Sequence, residues 1–395
     1  MAEKTGGYSA YSPKSLPESQ EVNIHAFSRL FVDATNSYKF IFFISILDIL
    51  KRRHFDASQS ITFDDLIVEM LANAWYPHTY FKLSFGMQDK ITEGLDSLAL
   101  TIEEPVLKFT DTDKKLLRST IESQDLSKII QKLKRYVPFR LIVPFFESEL
   151  REIPNRNKGN NLDVAVPKVA ENLFEDYKPL YRFNSDNYSS CSSIILHPSW
   201  VAYLKKHYSI VRGWAAWEWL GYMQKRNPNT PGLIYKLFAP SKRESLSKQI
   251  TYWKIILGNT DFYCIYSGQK IDPEEFSLDH YLPWSFVAHD QLWNLIPTTP
   301  EMNSSKSNNL PPSAFFNSFV ERQHLGLNIY RENMPQREWE KMIEGYIEDL
   351  KVHTQDDLLD LDKLKNAYKN VVYPLVSLAT NQGFKLWEKQ PPLVA

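Results

Sequence analysis

The chain of 395 residues has only two cysteines, Cys191 and Cys264. Two thiols build no disulfide framework, and that usage suits a reducing compartment. Long apolar runs are missing as well. The longest, Phe40–Leu50, is interrupted by Asp48 and is too short to span a bilayer. The opening stretch MAEKTGGYSAYSPKS is polar and carries no signal-peptide apolar core. There is no Walker-type phosphate loop, no internal repeat and no long low-complexity tract. A soluble cytoplasmic protein without membrane attachment is the expectation. Net charge is also lacking, at −1, which at first argues against a partner as acidic as nucleic acid.

That average hides an uneven distribution. Residues 199–257 carry ten lysines and arginines against Glu218 and Glu244, whereas residues 344–362 carry seven acids against Lys351. Phosphate contacts need local positive charge, not a basic total. Lys225, Arg226, Lys242 and Arg243 are therefore the expected phosphate contacts. The same basic segment holds many aromatics, including Trp200, Trp214, Trp217, Trp219, Tyr222 and Trp253. A stacking platform for bases is one reading; a packed helical core explains most of these rings better.

The length and a hydrophobic content of 43% allow two or three domains. Residues 1–20 read as a disordered tail. Residues 21–150 read as a helical N-terminal domain, with helices at Val22–Ala34, at Ser37–Arg52 and after a Thr62 cap. A short extended piece before Thr62 makes the order similar to a winged-helix module. Further helices are expected at 87–99, 112–122 and 126–136, then an extended run over Val137–Phe146. The polar stretch 151–162 marks a boundary. Residues 163–257 form the basic, aromatic-rich helical region. The chain returns to helix over 313–395, at about 313–326, 336–352, 356–370 and 372–382.

The chemistry concentrates in residues 261–312, DFYCIYSGQKIDPEEFSLDHYLPWSFVAHDQLWNLIPTTPEMNSSKSNNLPP. Asp279 and His280 are adjacent, and Asn294, Asn303 and Lys306 follow. An adjacent Asp and His can supply a metal ligand and a general base to one site, and an Asn on a following helix can supply an opposing ligand. That set suits phosphodiester hydrolysis, where water must be deprotonated and developing negative charge neutralised. Lys306 reads equally as a point charge for a neighbouring phosphate and as an exposed helix lysine. His289 and Asp290 read as solvent-exposed loop residues.

This stretch resembles the HNH (ββα-metal) nuclease domain, in wording similar to the variant found in CRISPR effector nucleases. The resemblance implies a first strand at Phe262–Tyr266, a turn at Ser267–Gly268 and a second strand at Ser277–Pro283. It makes His280 the general base, Asp279 and Asn303 the metal ligands, and Asn294 the brace of the loop between the strands. The implied cofactor is Mg²⁺ or Mn²⁺. Many HNH domains also carry two CxxC pairs for a structural zinc. Here Ser267 stands where a second Cys would follow Cys264, and Thr299 and Met302 replace the other pair. A Cys₄ zinc is excluded, so Phe262, Ile265, Leu278, Leu282, Trp284 and Leu295 must hold the domain.

The fold class expected is α+β, predominantly helical, with a small ββα-metal domain at 258–312 embedded between helical regions. The function implied is a metal-dependent endonuclease acting on nucleic acid, DNA above all, in restriction or anti-phage defence. The alternatives are a non-cleaving nucleic-acid-binding or regulatory subunit, and a nuclease subunit active only within a complex with a protein partner or with further copies of itself.

Overall fold

The computed structural model describes residues 16–32, 34–87, 89–98, 100, 111–155, 158–238 and 245–390. Helix predominates, with two small sheets, and the chain divides into two compact units, Met1–Pro228 and Asn229–Ala395. No described helix is long and apolar enough to cross a membrane.

In the first unit, α1 (Tyr38–Arg52) is apolar on every side and correspondingly buried from Phe40 to Leu50, apart from Asp48. It packs on α2 (Phe63–Trp75). Thr62 caps α2 as expected, its hydroxyl accepting from Asp65 N at 3.0 Å. A short strand, β1 (Ile61–Thr62), precedes α2, and its partners come from much later in the chain. Between them lie α3 (Ser127–Leu133) and α4 (Asn161–Asn172). Strands β2 (Tyr181–Phe183) and β3 (Ser193–Leu196) then pair antiparallel, giving the sheet order β1-β3-β2. Helix α5 (Tyr208–Arg226) packs against α1. Trp200, Trp214 and Trp219 are buried, with Phe27 stacked on Trp200 at 4.5 Å. Most of the aromatic segment is therefore core, as the packed reading held, and Trp217 alone of its tryptophans is exposed.

Several expectations change. Val137–Phe146 is helical, as Val137–Arg140 and a 3₁₀ turn at Val143–Phe146, because Pro138 and Pro144 sit in first-turn positions where proline is tolerated. The polar stretch 151–162 lies inside the first unit, leading into α4. The expected tail reaches too far. Leu16 is buried, and the Tyr203 hydroxyl donates to the Pro17 carbonyl at 2.7 Å. Residues 1–15 lie outside the described residues.

The second unit is built around one core running from Tyr252 to Trp387. It begins with α6 (Leu233–Leu237) and α7 (Ser247–Asn259), so the basic segment 199–257 is divided between the units. Then come β4 (Ser277–His280), the short α8 (Trp284–Val287), β5 (Leu295–Thr298) and α9 (Pro300–Lys306). β4 and β5 pair antiparallel, Asp279 opposite Ile296 and His280 opposite Leu295. The expected first strand at Phe262–Tyr266 is reduced to a bridge between Tyr263 and Lys270. The second strand of the ββα unit is Leu295–Thr298, after the loop rather than before it.

Helices α10 (Phe316–Asn333), α11 (Gln336–Leu350) and α12 (Leu361–Asn381) complete the unit. α12 is one helix where two were expected, with Pro374 inside it. These helices hold the hairpin by specific bonds. Gln323, fully buried, donates to the Leu295 carbonyl at 2.8 Å and accepts from the Tyr346 hydroxyl at 2.6 Å. Tyr368 donates to the Trp293 carbonyl, and Tyr281 stacks on Phe319 at 3.9 Å. The residues standing in the places of zinc cysteines are used otherwise: Cys264 Sγ contacts Thr298 Oγ1 at 3.1 Å, and Thr299 caps α9.

Candidate active site

β4 ends in Asp279 and His280. Neighbouring side chains on a strand point to opposite faces, so the two occupy different surroundings. Asp279 is turned inward and is 2% exposed. Both its carboxylate oxygens are engaged: the Tyr266 phenol donates to Oδ2 at 2.6 Å, and the Lys306 ammonium lies 3.0 Å from Oδ1. The same ammonium donates to the His280 carbonyl at 2.6 Å. Burial, reinforced by the Asp279 charge, pushes the Tyr266 phenol far up and keeps it a donor.

Lys306 is thus neither an exposed helix lysine nor a phosphate contact in this structure. It is fully buried at the end of α9, which packs on β4. The reason is electrostatic. A carboxylate taken out of water needs a cation or several donors, and a lysine stem reaches one from the neighbouring element. Asn303 lies one turn earlier on α9, half-exposed, and its amide makes no hydrogen bond among the described residues.

His280 faces Asp290, with Nε2 2.7 Å from Oδ1 and side-chain exposures of 12% and 17%. A carboxylate only accepts, so Nε2 is the nitrogen that donates to Asp290. The exposed-loop reading of His289 and Asp290 is corrected, since both are half-buried. The loop folds back after α8, where Ala288 adopts a left-handed conformation at φ 57°. Burial pushes the His289 imidazole down to about 4, against the opposing pull of Asp349, and its ring lies 5.3 Å from Trp293. Nothing in the sequence signals Asp290 beyond a carboxylate ten residues after the histidine.

Asn294 is fully buried and clasps the segment after His280. Its Oδ1 accepts from Leu282 N at 2.8 Å and its Nδ2 donates to the Leu282 carbonyl at 2.9 Å. Of the expected phosphate contacts, Lys225 and Arg226 are exposed at the end of α5 in the first unit. Lys242 and Arg243 lie outside the described residues.

The sequence missed Lys236. It is 1% exposed on α6, donates to the Phe286 carbonyl and lies 5.3 Å from the Phe286 ring. Burial pushes its ammonium down to about 7. An unfolded lysine titrates near 10.4, so the folded chain binds fewer protons between these values and stability rises with pH across that window. Chemical denaturation from pH 7 to 10 should show the second unit strengthening. Lys236→Met should remove that slope and stabilise the unit at pH 7. An unchanged slope in the variant would assign it to other groups.

A strand pair followed by a helix defines a ββα-metal type of nuclease unit when an Asp–His pair ends the first strand, an asparagine clasps the loop and a second asparagine lies on the helix. Residues 264–312 match the family model described as HNH endonuclease, and this part of the chain is an HNH-family domain. No curated protein and no solved structure matches the chain.

Asp279 and Asn303 carry oxygen donors of the kind a hard divalent cation takes, and among the described residues no group of three or more His, Cys, Asp and Glu gathers that could hold a metal ion. Asp279 retains lone pairs beyond the two donors it accepts, and Lys306 is the group any cation there would compete with.

Proposed function

We propose that the second unit is a divalent-metal-dependent endonuclease that hydrolyses DNA phosphodiester bonds, leaving 5′-phosphate and 3′-hydroxyl ends. The observation that carries this reading is the pairing of His280 with Asp290 beside the buried Asp279, inside the segment that matches the HNH endonucleases. His280 Nδ1 takes the proton of the attacking water, and Asp290 holds the ring and stabilises the imidazolium that forms. Asp279 and Asn303 would hold Mg²⁺, or Mn²⁺ in its place, which when bound supplies Lewis-acid stabilisation to the phosphate and the leaving 3′ oxygen. Asn294 fixes the loop after His280, so base and ligand stay in register. Lys225 and Arg226, exposed at the end of α5, are the phosphate contacts of the first unit in this reading. Cleavage of foreign DNA in the cytoplasm is the setting this activity would serve.

The test is plasmid cleavage by the full chain with and without Mg²⁺. EDTA should silence it, and Asp279→Ala and Asn303→Ala should each shift the Mg²⁺ dependence to higher concentration or abolish cleavage. Cleavage that persists undiminished in EDTA, or in both variants at limiting Mg²⁺, would overturn the metal assignment.

A further inference from the structure

In the first unit, a cavity of about 450 Å³ opens beside the end of α3, the start of α4 and the turn at Tyr188–Ser190. Three cations line it, Lys132, Lys134 and Arg135, and no carboxylate does. Lys132 is taken up by Glu93 at 2.7 Å. Lys134 and Arg135 have no carboxylate partner among the described residues. The nearby Arg140 is spent on Asp163 in a two-pronged pair at 2.7 and 2.8 Å, which also neutralises that acid. Over residues 126–146 the chain holds five lysines and arginines and no acid.

The remaining wall has a different chemistry. Phe63 and Phe139 form a buried apolar floor. Tyr188 packs on Phe139 at 4.6 Å between ring centroids, and its hydroxyl donates to the Arg135 carbonyl at 2.8 Å. The tyrosine ring is therefore fixed in place beside the two cations that lack a carboxylate partner. Two amides, Gln131 and Asn160, also line the cavity, and neither side chain makes a hydrogen bond among the described residues. Asn160 stands at the cap position of the twelve-residue α4 without capping it.

Cations without a carboxylate partner ask for an anion, and Arg135, which lies over the Tyr136 ring at 5.0 Å, keeps its charge there. A fixed ring and unspent amides ask for a flat group with polar edges. An inorganic anion would leave the ring and amides idle, and an acidic peptide would leave the ring without a planar partner. The volume falls in the range of small-ligand sites, roughly 300–1,000 Å³. We propose that this cavity binds a nucleotide unit, its phosphate on Lys134 and Arg135 and its base against Tyr188, with Gln131 and Asn160 at the base edge. Guanidinium and ammonium groups suit phosphate, and base–aromatic stacking is tolerant of base identity. The unit can come from a free nucleotide or from a nucleic-acid strand.

The experiment uses full-length His280→Ala protein in EDTA, so that no probe is cut. Binding of a methylanthraniloyl-labelled AMP and of a short fluorescein-labelled single-stranded DNA is followed by fluorescence anisotropy. At least one probe should bind, and Lys134→Ser/Arg135→Ser should weaken it by about tenfold or more. Tyr188→Leu should weaken it by a similar factor. If only the mononucleotide responds, the ligand is a free nucleotide. If only the strand responds, it is a strand, and its log affinity against log salt should flatten by about 0.7 for each lost contact. Three results overturn the proposal: neither probe binds, binding is unchanged in both variants, or inorganic phosphate displaces the probe as well as AMP does. Circular dichroism confirms that the variants fold. Plasmid cleavage in the His280 background of the wild type is read separately, so failure of the nuclease reading leaves this result intact.

Discussion

His280→Ala should fold normally, retain DNA binding and lose about 10²–10⁴-fold in cleavage rate, the usual contribution of a positioned general base. The structure sharpens that expectation through Asp290. Because Asp290 accepts from Nε2 of His280 at 2.7 Å, Asp290→Ala should lower kcat by less than His280→Ala does and leave KM close to the wild-type value. The double variant should be no slower than His280→Ala alone, since residues that act as a unit do not add. Single-turnover cleavage with saturating Mg²⁺ measures this. Full activity in folded His280→Ala removes the base assignment. Full activity in Asp290→Ala removes only its orienting partner.

The second large effect is expected at Lys306. Its ammonium is fully buried against Asp279, which is itself 2% exposed. Removing one partner of a buried pair leaves an uncompensated charge and typically costs about 3–5 kcal/mol. Lys306→Met should therefore lower the melting temperature of the second unit by roughly 10 °C. Adding Asp279→Asn should recover much of that loss, because the stranded charge is then gone. The same logic makes metal a substitute for the lysine. Mn²⁺ should raise the melting temperature of Lys306→Met more than that of the wild type. Calorimetry of the three proteins, with and without Mn²⁺, checks both statements. A Lys306→Met chain as stable as the wild type would mean that the Asp279 carboxylate is satisfied without it.

Much of this protein was legible before any tertiary contact was known. The apolar run at Phe40–Leu50 and the Thr62 cap placed α1 and α2 closely, because local burial and capping act over a few residues. The string from Asp279 to Asn303 carried the resemblance to the HNH nucleases, and the family match over residues 264–312 bears that resemblance out. The extended reading of Val137–Phe146 failed because Pro138 and Pro144 read as breakers and yet sit where helices accept proline.

The resemblance carried by residues 261–312 offered a candidate base and candidate ligands, and the sequence by itself shows that the two CxxC pairs are missing. What the long-range fold alone decided is who faces whom. Lys306 has the same three-letter name whether it meets solvent, phosphate or Asp279. Only the docking of α9 on β4 selects the buried pair. Asp290 becomes a partner of His280 because Ala288 turns the loop back, a reversal no periodicity records. β1 finds β3 more than a hundred residues later, and Gln323 and Tyr368 reach the hairpin from helices distant in sequence. Each of these depends on loop closure and packing summed over the whole unit, and such sums leave no mark on any short stretch of chain.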